Sequence, residues 1–131
     1  MKTRLALLAA LGVSLTSALA MPLQADPIIN TYAGSTTVVL SHTLLGALKS
    51  LGVAASRQFP ADLIGATARF PIPTGQVDLA SAHGEIVHTG GLYLKAGGTT
   101  VALSDFVIDT TGPSAVLTGL VSANGQVVGR L

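Results

Sequence analysis

The sequence contains no cysteine and no tryptophan, and only 4% of its 131 residues are aromatic. Without thiols there is no disulfide framework, no thiolate zinc site and no cysteine nucleophile. Charged residues make up 10% of the chain, less than half the roughly 25% of an ordinary soluble protein. That scarcity excludes a charged disordered tail, a coiled coil and a long helical bundle. A formal charge of +1 leaves no electrostatic footprint for DNA or RNA. In their place stand 49% hydrophobic residues and 15 glycines, in a length that allows one ordinary domain.

The first residues have the three-part layout of a secretory signal. Lys2 and Arg4 give a positive start, Leu5 to Leu15 is apolar and uncharged, and Ala18-Leu19-Ala20 places small residues at both recognition positions of a signal peptidase. The apolar run is shorter than the ~20 residues needed to span hydrocarbon, which argues against a membrane anchor. Cleavage is expected before Met21, with Asp26 as the second choice. Removing residues 1–20 takes away two of seven cations, leaving five against six carboxylates, a net charge of −1. No later run approaches the ~18 apolar residues of a membrane span, so no transmembrane helix is expected after cleavage. The expected location is therefore outside the cell or in its envelope, extracellular or periplasmic.

Residues 21–34 hold Pro22, Pro27, Asn30 and Gly34 without a sustained period, and read as a linker or a loosely docked first strand. A β-rich domain is expected over residues 35–131. Thr36 to Leu40 is β-branched and strand-like. Ser41 can cap one short helix, about residues 42–51, whose apolar stripe is Leu44, Leu48 and Leu51, widened by Leu45. Gly52 stands where a left-handed residue would end it.

From Ala66 onward short apolar stretches alternate with glycine turns. Gly84 to His88 and Leu92 to Lys95 flank Gly90-Gly91, Gly97-Gly98 is a hairpin signal before Thr99 to Leu103, and Asn124-Gly125 is a type I′ signal. Phe106 to Asp109 and Val116 to Ser122 read as further strands. Phe70-Pro71-Ile72-Pro73 should lie on a sheet edge or leave the sheet, because each proline removes a ladder donor. Leu92 with Leu94, Val101 with Leu103, and Phe106 with Ile108 keep period two, one inward face per strand. The fold class is mainly β, an antiparallel sandwich or open barrel with one short helix. The chain stops in a strand, Gln126 to Leu131, directly after a strong turn, and truncation at the C-terminus is the favoured reading over a terminal edge strand.

No catalytic constellation emerges. There is no Gly-x-Ser-x-Gly elbow, and the adjacency of Ser41 and His42 does not make a triad. Asp105 and Asp109, four apart on a strand, would lie roughly 13 Å apart, too far for a pair of glycosidase carboxylates. Asp109-Thr110-Thr111-Gly112 reads instead as a turn in which the aspartate accepts backbone N–H bonds. His83 and Glu85 could share a strand face but lack further ligands, so no metal site is expected, and neither glycine pair forms a phosphate cradle.

Four motifs occur in order over residues 66–110: Arg69-Phe70-Pro71-Ile72, Gly75-x-Val77-Asp78, Gly84-x-Ile86-x-His88-x-Gly90-Gly91-Leu92, and Leu103-x-x-Phe106-x-Ile108-Asp109. This resembles the layout of HtaA-type domains, secreted or surface β-rich modules of bacteria, several of which bind haem. The resemblance implies a tyrosine near the domain start as the iron ligand, supported by a histidine in a His-x-Gly-x-Leu run. His88-Thr89-Gly90-Gly91-Leu92 matches that run. Tyr32 is the available opening tyrosine, although the aromatic-rich opening motif is missing, and Tyr93 lies five residues beyond His88.

Two expectations follow. The first is a secreted, non-catalytic β-rich module, structural or interacting, with no cofactor and an open partner class that excludes nucleic acid. The second is a haem or small-ligand binder using His88, Tyr93 and Tyr32. They part at His88: a ligand role requires it to face a concavity near a tyrosine, and the plain reading leaves it exposed or bonded to a backbone carbonyl at a strand end.

Overall fold

Short strands paired antiparallel dominate the protein; the computed structural model describes residues 27–131. The expected signal segment and both cleavage positions lie outside the described residues. In chain order the elements are β1 (Ile28–Thr31), β2 (Ser35–Val39), α1 (His42–Ser50), β3 (Ala54–Gln58), β4 (Asp62–Ile64), β5 (Thr67–Pro71), β6 (Thr74–Asp78), β7 (Gly84–Val87), β8 (Gly91–Ala96), β9 (Thr99–Asp109), β10 (Val116–Ala123) and β11 (Gln126–Arg130). The larger sheet runs β1-β6-β7-β9-β10-β11, with β8 pairing both β9 and β3, and curls into a half-barrel. The smaller sheet has the order β2-β5-β4. No described helix is long and apolar enough to cross a membrane.

β9 is the spine of the larger sheet. One edge pairs with β10, and the other pairs first with β8 (Ala96↔Thr99 to Gly91↔Ser104) and then with β7 (Val87↔Val107 to Glu85↔Asp109). The two short strands expected here are one strand with a bulge. Thr118 pairs Val107 and Leu120 pairs Ser104, so Gly119 alone faces Asp105 and Phe106, and Asp105 takes φ 51°. A bulge inserts one residue and shifts strand parity by one. Leu103 lies opposite Leu92, and Leu92, Phe106 and Ile108 line the same cavity. Without the extra residue Leu103 and Phe106 would point to opposite faces. A Cβ on Gly119 would stand 2.9 Å from the Phe106 ring, so the glycine leaves that ring its place.

Local turn chemistry holds as expected. Gly97-Gly98 closes the β8–β9 hairpin, and Asn124-Gly125, at φ 48° and 84°, closes β10–β11. β5, by contrast, is the middle strand of the smaller sheet, which corrects the expectation for the Phe70-Pro71 stretch. Its proline is tolerated because β4 flanks β5 only from Thr67 to Arg69, leaving Pro71 with a single neighbour, Ser35 of β2. β3 and β4 are elements the sequence did not signal. Ala-Ala-Ser-Arg-Gln has no apolar alternation, and β3 is held by its register with β8.

α1 begins as the sequence implies: the Ser41 hydroxyl accepts the Leu44 N–H at 3.1 Å, and Gly52 follows at φ 66°. Its packing differs. Leu44 is 44% exposed and Leu51 73%, and no residue of the helix is buried. Leu45 and Leu48 are half-buried and, with Lys49, line a cavity against Val53 and Leu63. The helix lies at the margin of the sheets, so its contact face is the i, i+3, i+4 arc from Leu45 rather than the stripe through Leu44 and Leu51.

Candidate functional site

The core forms where the smaller sheet lies across the half-barrel. Ala61, Ala68, Phe70 and Leu92 are buried, with Leu63 and Phe106 packed against them. The rings of Phe70 and Phe106 meet edge to face, centroids 5.1 Å apart at 68°. Offset and edge geometries of this kind place the positive ring edge on the negative face.

His88 sits in this seam, 2% exposed. It shares strand parity with Ile86, which pairs Ile108 on the concave face, and its own N–H extends the ladder by donating to the Phe106 carbonyl at 2.8 Å. The chain then turns sharply at Gly90-Gly91. Gly90 has φ 79°, and a Cβ there would collide with the Ala61 backbone, while one on Gly91 would collide with the Leu103 carbonyl. Thr89 N–H donates to the Pro71 carbonyl at 3.0 Å, tying this turn to β5.

Both ring nitrogens of His88 are used within the chain. Nδ1 lies 3.1 Å from the Phe106 carbonyl, which can only accept, so Nδ1 carries the hydrogen and donates it. Nε2 lies 2.6 Å from Thr36 Oγ1, and in the neutral ring it accepts from that hydroxyl. The imidazole thus fastens β2 of the smaller sheet to β9 of the larger one.

Beside this fastener is a cavity of about 290 Å³ walled by Val38, Leu40, Phe70, Leu92, Phe106 and Ile108, with Leu117 at its edge, and its surface is apolar throughout. Thr36 and His88 complete the wall. At the mouth, Val38 and Leu117 remain 40% and 57% exposed. Exposed apolar residues contiguous with a pocket mark binding surfaces more often than isolated ones do.

Both expectations for His88 are therefore amended. The residue is buried, against the plain reading, yet it makes the backbone-carbonyl bond that reading named. It faces a concavity, as the ligand reading required, but no tyrosine is beside it. Leu92 points into the cavity, so Tyr93, the next residue on β8, projects from the opposite face. Tyr32 follows β1 and is 79% exposed. The three residues His88, Tyr93 and Tyr32 are not brought together. Neither tyrosine lines the cavity beside His88.

Two carboxylates order turns instead of forming a site. Asp109 accepts from the Thr111 hydroxyl at 2.6 Å and the Thr111 N–H at 2.8 Å, which holds its carboxyl below the usual aspartate range. Asp78 is lowered in the same direction, chiefly by the Ala80 N–H, which it accepts at 2.7 Å. Asp105, at the bulge, accepts from the Ser104 hydroxyl at 2.9 Å.

Thr36, Val38, Leu40 and Leu117 are the wall residues that the sequence reading left without a role. For the first three the signal was present: Thr36, Val38 and Leu40 alternate, which gives β2 and its continuation one inward face. Compared with known proteins, the chain matches no family model, no curated protein and no solved structure, so its resemblance to HtaA-type domains rests on the four sequence motifs.

Proposed function

We propose that this chain is an exported, non-catalytic β-rich module that receives an apolar group in the cavity beside His88. The observation that carries this reading is a wall without accessible polar atoms, next to a histidine whose two nitrogens are already bonded. Pockets for small molecules usually add a few convergent polar groups to an apolar lining. Here the polar groups face each other, so hydrocarbon contact and shape supply the affinity. Export rests on the N-terminal layout of charge, apolar run and small residues.

Titration of the purified protein with Nile red tests the reading. Saturable one-to-one binding is expected, weakened at least about tenfold in Leu117→Trp, which places a large ring at the half-exposed mouth. Binding that ignores this substitution, or no saturable binding, overturns it. Hemin added in parallel reads the other ligand class. A Soret band that survives gel filtration and disappears in His88→Ala would give the imidazole a ligand's role and overturn the fastener assignment.

A further inference from the structure

We propose that Leu40 sets the length of the alkyl chain that the cavity accepts, an inference that rests on the binding reading above. Leu40 follows β2 and is anchored by its N–H, which donates to the Ala66 carbonyl at 2.8 Å. Its side chain belongs to the walls of two cavities: the one beside His88, about 290 Å³, and a second of about 280 Å³ between α1 and the sheets, lined by Leu45, Leu48, Lys49, Val53 and Leu63. Leu40 is the residue common to both walls, which in this proposal makes it the partition between them.

The occupant is an unbranched acyl chain. The first cavity is about twice the ~150 Å³ that accepts a benzene, so it holds roughly a dozen carbons. Its half-exposed apolar mouth at Val38 and Leu117 lets a polar head remain in water while the tail enters. Each methylene buried should raise affinity about fourfold until the tail meets Leu40. Past that point added carbons stay outside and affinity levels off. Removing the partition would open the space under α1, where no helical residue is buried and the wall mixes leucines and Val53 with polar surface.

The test is calorimetric titration with octanoate, decanoate, dodecanoate, tetradecanoate and hexadecanoate, using the wild type, Leu40→Ala and Leu40→Phe. The wild type should rise and then level off within the series. Leu40→Ala should level off at a longer chain and Leu40→Phe at a shorter one. Identical levelling points in the three proteins overturn the role of Leu40 and leave the binding reading standing. Failure of every chain to bind the wild type overturns both. If melting curves show Leu40→Ala unfolded, Leu40→Phe decides alone, since the larger side chain must shorten the accepted tail.

Discussion

The seam at His88 and the shelf under α1 are both built from leucines, small residues and a glycine turn, but they pack differently. At the seam Ala61 and Ala68 are 0% exposed, Phe70 6%, Leu92 8% and His88 2%. Under α1 no helical residue is buried. Two sheets cover the seam from opposite sides, and Gly90 and Gly91 let the backbone approach Ala61 and Leu103 more closely than any side chain would permit. The helix has only the margin of the sheets beneath it. Apolar composition supplies the material for a core, and the topology decides where two apolar faces meet.

The largest expected effect is at the seam. Phe70→Ala removes a buried ring and its edge-to-face contact with Phe106, and should cost about 3–5 kcal/mol in denaturant unfolding. A loss below about 1 kcal/mol would show that the seam is not the centre of the fold.

Next comes the fastener. Thr36→Val keeps the shape of the side chain and removes the hydroxyl that donates to His88 Nε2, leaving a buried acceptor without its partner. The expected cost is about 1–3 kcal/mol. A neutral result would mean that the two sheets are held by apolar contact and by links such as the Thr89–Pro71 bond and the Arg57–Asp62 pair.

How much of this was legible depends on how local each determinant is. The hairpins at Gly97-Gly98 and Asn124-Gly125 were readable because two residues carry the whole geometry. The period of α1 was readable, but the direction it faces was not, since periodicity fixes a stripe without saying where the sheet lies. β3 was invisible because its ladder forms with β8, far away in sequence. The burial of His88 depends on Thr36, 52 residues away in sequence, and no local pattern reports that contact. Parity along β9 was read separately on each side of Asp105, and the bulge that joins the two halves left no signal apart from the change from odd to even apolar positions.

On the shelf the effects should be small. Leu48→Ala should cost about 1 kcal/mol, well under the ~2–5 kcal/mol of a buried leucine. Leu51→Ala, 73% exposed, should stay within about 0.5 kcal/mol. If Leu51 behaves as a core residue, the contrast between seam and shelf fails.

The smallest effect is expected in acid. Asp78 and Asp109 have carboxyls held below their ordinary value of 3.8 by turn hydrogen bonds. A lowered folded-state pKa gives stability that is complete above the ordinary value and is lost as pH falls through the lowered one. Melting temperature should therefore decline below about pH 4 through these two turns, and Asp78→Asn with Asp109→Asn should flatten that part of the decline. An acid slope unchanged by the double substitution would place the proton-sensitive groups elsewhere.

The central claim is that the cavity takes the ligand while His88 only holds the sheets together. Long-range proton–nitrogen correlation spectra of the His88 ring, recorded with methyl spectra during addition of decanoate, test it most directly. The account predicts that the ring keeps a single Nδ1–H tautomer throughout while the methyls of Leu92, Ile108 and Leu117 shift. A ring that changes tautomer with decanoate, or methyls that do not move, would contradict it.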